Sequence, residues 1–153
     1  DNIVAFWVPE QKVKAGEQLY LHYQVRYMSN EATRYPKNIA RVKDTLYSLG
    51  DVKQANLIRR LDGSVSYVID FIGGDLSNIS PQQGVKPYLS ISNNGEIVSS
   101  ELIYNSVYKG WRLIVHFKNK EVNKTTEIYA SLLSNDGKDR LLTETWNAQY
   151  LAQ

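Results

Sequence analysis

Lys109-Gly110-Trp111-Arg112-Leu113-Ile114-Val115-His116-Phe117 decides the fold class. Trp111, Leu113, Val115 and Phe117 fall on one face of an extended chain, and Arg112, Ile114 and His116 on the other. That period of two belongs to a strand with one buried side. Downstream, residues 125–133 set Ile128, Ala130 and Leu132 against Glu127, Tyr129 and Ser131. Asn135-Asp136-Gly137 then turns the chain, and a last strand over 142–150 closes it. Upstream, strands over 86–92 and 97–105 are joined by Asn93-Asn94-Gly95, a hairpin signal. Residues 75–84, with Pro81, read as a loop holding at most one helical turn. Before it, an apolar strand over 64–72 ends at Gly73-Gly74. Asp62-Gly63 reads as a hairpin turn between that strand and another over 52–60. Gly50-Asp51 marks the end of a first strand over 39–47. No segment carries a 3.6-residue apolar stripe over ten or more positions. Seven to eight strands punctuated by Gly-type turns predict an all-β fold, with an immunoglobulin-like β-sandwich over 38–153.

The chain ahead of this series reads differently. Residues 28–37 are polar and aperiodic, and form the expected linker. Before them, Leu19, Leu21, Tyr23, Val25 and Tyr27 alternate with Tyr20, His22, Gln24 and Arg26, which predicts a long half-buried strand over 17–27. Ile3-Val4-Ala5-Phe6-Trp7-Val8 predicts a buried strand, so the two can form a pair. No leader precedes Asp1, so the chain is expected to be cytosolic or a piece of a longer protein.

Composition removes several function classes. The 153 residues carry 18 Lys+Arg and 16 Asp+Glu, a net charge of +2, with no run of basic residues, so no nucleic-acid partner is expected. No apolar run approaches the length of a membrane-spanning helix. The absence of cysteine rules out a disulfide scaffold, thiolate zinc sites and iron–sulfur clusters. Eleven Tyr, with 3 Trp and 3 Phe, suit a strand-rich chain.

Catalytic motifs are scarce. There is no nucleophile elbow, phosphate loop or dinucleotide fingerprint. His22 and His116 lie on separate strands, without a His or carboxylate at ligand spacing, and read as strand-surface or edge residues. No cofactor and no metal site are expected. Asp70 lies within the apolar run Tyr67-Val68-Ile69-Asp70-Phe71, where a carboxylate must be paired or hydrogen-bonded. It reads as a structural acceptor, with a functional acid as the alternative. Glu101 and Glu144 read as ordinary strand carboxylates. Trp7, Trp111 and Trp146 sit within strand alternations and read as core or intersheet packing. The alternative is that they stack on sugar rings, which makes them the candidate carbohydrate-binding residues.

Several segments run in a fixed order along the chain. They are Asp1-Asn2-Ile3-Val4-Ala5-Phe6-Trp7 with Pro9-Glu10, and Gly50-Asp51-Val52-Lys53-Gln54 with Asn56-Leu57-Ile58-Arg59. Val68-Ile69-Asp70-Phe71, Asn94-Gly95-Glu96-Ile97-Val98, and Tyr104-Asn105 with Lys109-Gly110-Trp111-Arg112-Leu113 follow. Lys124-Thr125-Thr126-Glu127 and Thr143-Glu144-Thr145-Trp146 complete the series. Together they resemble the periplasmic glucan biosynthesis protein G family (MdoG/OpgG), while Asn147-Ala148-Gln149-Tyr150 departs from the family pattern. The resemblance implies a soluble periplasmic protein of Gram-negative bacteria, needed to make osmoregulated glucans with a β-1,2-linked glucose backbone. It implies a large mutarotase-like β-sandwich holding the glucan cleft, followed by a smaller immunoglobulin-like domain. Residues 1–27 would then be the terminal strands of the large domain, 28–37 the linker and 38–153 the small domain. Relatives include inverting endo-β-1,2-glucanases, in which the residue matching Asp1 is similar to a general acid. The matching base would lie upstream, across roughly 6.5–9.5 Å or a water chain.

Three functions are therefore weighed. The first is an accessory module of a glucan-processing protein, inactive alone, with the glucan chain, the upstream domain and the membrane glucan synthase as partners. The second is a carbohydrate-binding module that uses exposed aromatics. The third is a generic surface sandwich that pairs through an edge strand.

Overall fold

The computed structural model describes residues 12, 14–25, 27, 36–53 and 58–151. The chain divides into two compact units, Asp1–Thr33 and Arg34–Gln153.

The second unit is all-β. Its strands are β1 (Arg41–Lys53), β2 (Ile58–Ile72), β3 (Val85–Ile91), β4 (Gly95–Asn105), β5 (Gly110–Asn119), β6 (Thr125–Ser134) and β7 (Trp146–Leu151). A single 3-10 turn, Gly74–Asn78, interrupts the β2–β3 connection. One antiparallel sheet has the order β1-β2-β5-β4 and the other β3-β6-β7. Lettered along the chain, these are strands ABED facing CFG, the arrangement of a constant-type immunoglobulin sandwich.

The alternation chose the faces. Val65, Ile69, Phe71, Leu113, Val115 and Phe117 of the first sheet are fully or almost fully buried, as are Ile128, Ala130 and Leu132 of the second. Aromatic rings join the layers: Tyr67 meets Trp146 edge-on at 4.9 Å between centroids, and Phe117 meets Tyr150 at 5.8 Å. The Trp146 indole N–H donates to Thr45 Oγ1 across the layers at 3.0 Å. The sandwich does not close into a barrel, but its first and last strands are tied. Ala40 and Thr143 form a parallel bridge, with Ala40 N–H donating to the Leu142 carbonyl and Glu144 N–H to the Ala40 carbonyl, both at 2.8 Å.

Two expectations differ from the structure. Gly50-Asp51 and Asp62-Gly63 are not turns, and the described residues of 52–60 divide between two strands. β1 continues to Lys53 and β2 starts at Ile58. Between the pairs Leu49↔Val65 and Asp51↔Arg60, the single residue Gly50 faces the four residues 61–64. Gly50 (φ 79°) and Gly63 (φ 78°) supply the left-handed backbone that this wide bulge needs. A glycine signal of this kind serves a bulge as well as a hairpin, and only the strand pairing tells them apart.

The half-buried strand expected over 17–27 is also not met among the described residues. Residues 17–25 and 27 belong to no strand ladder, and both faces are exposed: Leu21 is 75% exposed and Tyr20, on the opposite face, 85%. An alternating segment becomes a half-buried strand only when a neighbouring strand supplies hydrogen bonds and an apolar surface. The strand expected over 3–8 lies outside the described residues.

Candidate functional site

Within the second unit, the described residues singled out by sequence do not converge. Asp1 and Trp7 lie outside the described residues. Trp111 (6% exposed) and Trp146 (8%) belong to the core. Trp111 packs edge-on against Tyr104 at 5.3 Å, and Trp146 against Tyr67. Neither indole therefore offers a free face for a sugar ring, and a carbohydrate platform on this unit needs other groups. His22 is exposed in the first unit. His116 lies on the outer face of β5, where its Nδ1 shares a 2.6 Å hydrogen bond with the hydroxyl of Ser66 on β2. Glu101 is exposed, and Glu144 is tied into the fold by accepting from Val42 N–H at 2.6 Å.

Asp70 is the most heavily engaged of these groups. It stands opposite Arg112 in the β2–β5 register, and the guanidinium grips it with two parallel bonds, Nε to Oδ1 and Nη2 to Oδ2, each 2.8 Å. This fork geometry is the strong form of the ion pair. The Arg112 hydrogen bonds hold the Asp70 carboxyl below its usual range despite its burial, and Asp70 in turn raises Arg112. The Tyr108 hydroxyl is near enough to Asp70 to favour the ionised carboxylate, yet makes no hydrogen bond of normal geometry and is buried without one. Burial and the Asp70 charge push Tyr108 up. Lys43 caps the Tyr108 ring at 4.9 Å. The Asp70 charge is met by the Arg112 fork, as a structural acceptor requires.

A built pocket lies elsewhere, where the β2–β3 and β6–β7 loops meet. Asn135 Nδ2 donates to the Gln83 carbonyl at 3.3 Å, and Arg140 Nη1 to Asp75 Oδ2 at 2.6 Å. The pocket, of about 320 Å³, is lined by Ile79, Gln83, Ser134, Asn135, Asp136 and Arg140, among others. The loop assignments at 75–84 and 135–137 locate its two walls. No sequence pattern joins residues some 50 positions apart, and the pairing exists only once β3 and β6 are side by side. Among the described residues, no group of three or more His, Asp or Glu is placed to hold a metal ion.

Comparison with known families turns this geometry toward a biological context. A family model described as periplasmic glucan biosynthesis protein, MdoG, matches residues 1–150. The chain belongs to the MdoG family. Its periplasmic location and its place in glucan biosynthesis follow from that membership.

Proposed function

We propose that residues 38–153 form an accessory unit of a glucan-processing periplasmic protein, and are not where a glycosidic bond is broken. The state of the carboxylates carries this reading. Glycoside hydrolysis by a carboxyl pair needs one member held protonated by a raised pKa. Among the described residues, the carboxylates clearly displaced from the ordinary range are Asp62, Asp70 and Asp136, all displaced downward. Ser64, Arg112 and Ser134 respectively supply the largest cause, a hydrogen bond to the ionised form. Carboxylates stabilised in this way suit holding charge and shape better than donating protons.

In this reading the chemistry belongs to an upstream glucan-cleft domain. Residues 1–27 are its terminal strands and 28–37 the linker, and Asp1 serves as general acid there, as the family resemblance implies. Exposure of both faces of residues 17–25 supports the assignment, since such a segment is suited to join another sheet. The accessory unit would wall one end of the cleft or hold the membrane glucan synthase. The test is incubation of this chain with β-1,2-glucan and analysis of the products by chromatography. No shortening of the glucan is expected; release of oligosaccharides at an enzymatic rate would overturn the reading.

A further inference from the structure

The loop-end pocket has the donors, acceptors and size of a sugar site. Each of four lining residues uses part of its hydrogen-bonding capacity to fix the pocket and keeps part unused among the described residues. Gln83 Oε1 accepts from Ser80 N–H, which leaves Nε2. Asn135 Nδ2 reaches Gln83, which leaves Oδ1. Asp136 Oδ1 takes both the Ser134 hydroxyl at 2.6 Å and Lys138 N–H at 3.0 Å, which leaves Oδ2. Arg140 Nη1 is taken by Asp75, which leaves its other N–H groups. The lining thus offers both donors and acceptors, matching hydroxyls that both donate and accept.

Charge narrows the ligand further. The Asp136 carboxylate disfavours an anion, and Arg140, its charge already met by Asp75, keeps N–H donors that a neutral polyhydroxyl uses through charge-assisted bonds. Ile79 gives the pocket an apolar wall for the C–H face of a ring. About 320 Å³ lies at the small end of ligand pockets. The walls are also set in advance. Ser134 N–H donates to the Arg140 carbonyl at 2.9 Å, Arg140 N–H to Ser134 Oγ at 3.0 Å, and Gly84 N–H to the Ser80 carbonyl at 3.1 Å. Little ordering cost is left for binding.

We propose that this pocket, between the β2–β3 and β6–β7 loops, binds a glucosyl unit of a neutral glucan. The inference goes beyond the accessory role and rests, as that role does, on the glucan chemistry of the family. The experiment titrates the ¹⁵N-labelled chain with the β-1,2-linked glucose disaccharide and follows backbone amide shifts. Saturable shifts confined to residues 80–84 and 134–140 are expected, with a dissociation constant on the order of millimolar. Asp136→Asn, which removes the charged acceptor, should weaken binding about tenfold. Gln83→Ala, on the opposite loop, should weaken it about threefold and keeps the test intact if the first variant loses its fold. Shifts centred on the exposed Tyr47 and its partly buried neighbour Tyr150, or affinity unchanged in folded forms of both variants, would overturn the pocket. So would a flat titration with the disaccharide and with longer β-1,2-linked chains. Product release, the readout that bears on the accessory role, is followed separately in the same tube.

Discussion

Residues 111–117 and 19–27 are written in the same alternating pattern and meet opposite fates. Leu113, Val115 and Phe117 are fully buried, while Leu19, Leu21, Tyr23, Val25 and Tyr27 are all more than half exposed. Alternation states which face a strand would bury. It does not supply the surface that buries it. β5 has β2 on one side, β4 on the other and the second sheet across the core. Among the described residues, the earlier segment has no ladder at all.

The contrast is sharpest at single side chains. Phe117→Ala should cost about 4 kcal/mol in denaturant unfolding, because it opens a cavity between Tyr67 and Tyr150. A loss below about 1 kcal/mol would mean that the two layers are not packed as described. Next comes the Asp70–Arg112 pair. Arg112→Met leaves a buried carboxylate without its fork and should cost about 2 kcal/mol, discounted because Arg112 itself is partly exposed. The same pair sets an acid dependence. The folded-state pKa of Asp70 lies below its unfolded value, so its contribution is complete above about pH 4 and is lost as pH falls through the folded pKa. Thermal unfolding should therefore drop on acidification below about pH 4, and drop less in Asp70→Asn. Gly63→Ala is a smaller perturbation. An added Cβ meets nothing within 4 Å, so only the left-handed backbone at φ 78° resists it, at about 1 kcal/mol. Smallest is Leu21→Ala, expected within about 0.5 kcal/mol in the same denaturant series. A larger loss would show that the segment is buried in solution, for instance by self-association, and sedimentation would reveal that state.

The strands of the sandwich were legible in sequence because each has a buried face and a Gly- or Asn-marked end. The strands expected over 86–92, 97–105 and 125–133 fall within two residues of β3, β4 and β6. The bulge at Gly50 and Gly63 was not legible, since the same dipeptides serve as hairpin turns and the distinction rests on pairing between distant residues. Of the candidate site residues, Asp70 could be read as a satisfied structural acceptor from its apolar neighbours alone. Its partner Arg112, 42 positions away, could not. The pocket residues carried still less signal. Gln83 and Arg140 are ordinary loop polars until two loops close around Ile79.

The tie between the ends of the sandwich has a mechanical consequence. Ala40 N–H to the Leu142 carbonyl, Glu144 N–H to the Ala40 carbonyl, and Val42 N–H to the Glu144 carboxylate together join the start of β1 to the segment just ahead of β7. These contacts run alongside one another and bridge segments about 100 residues apart in the chain. A pull on the chain ahead of residue 38 loads them in shear, so they give way together and not one after another. The patch works as a latch. Tension applied to the chain ahead of Ala40 therefore reaches these three bonds before it reaches the buried side chains of β2 and β5.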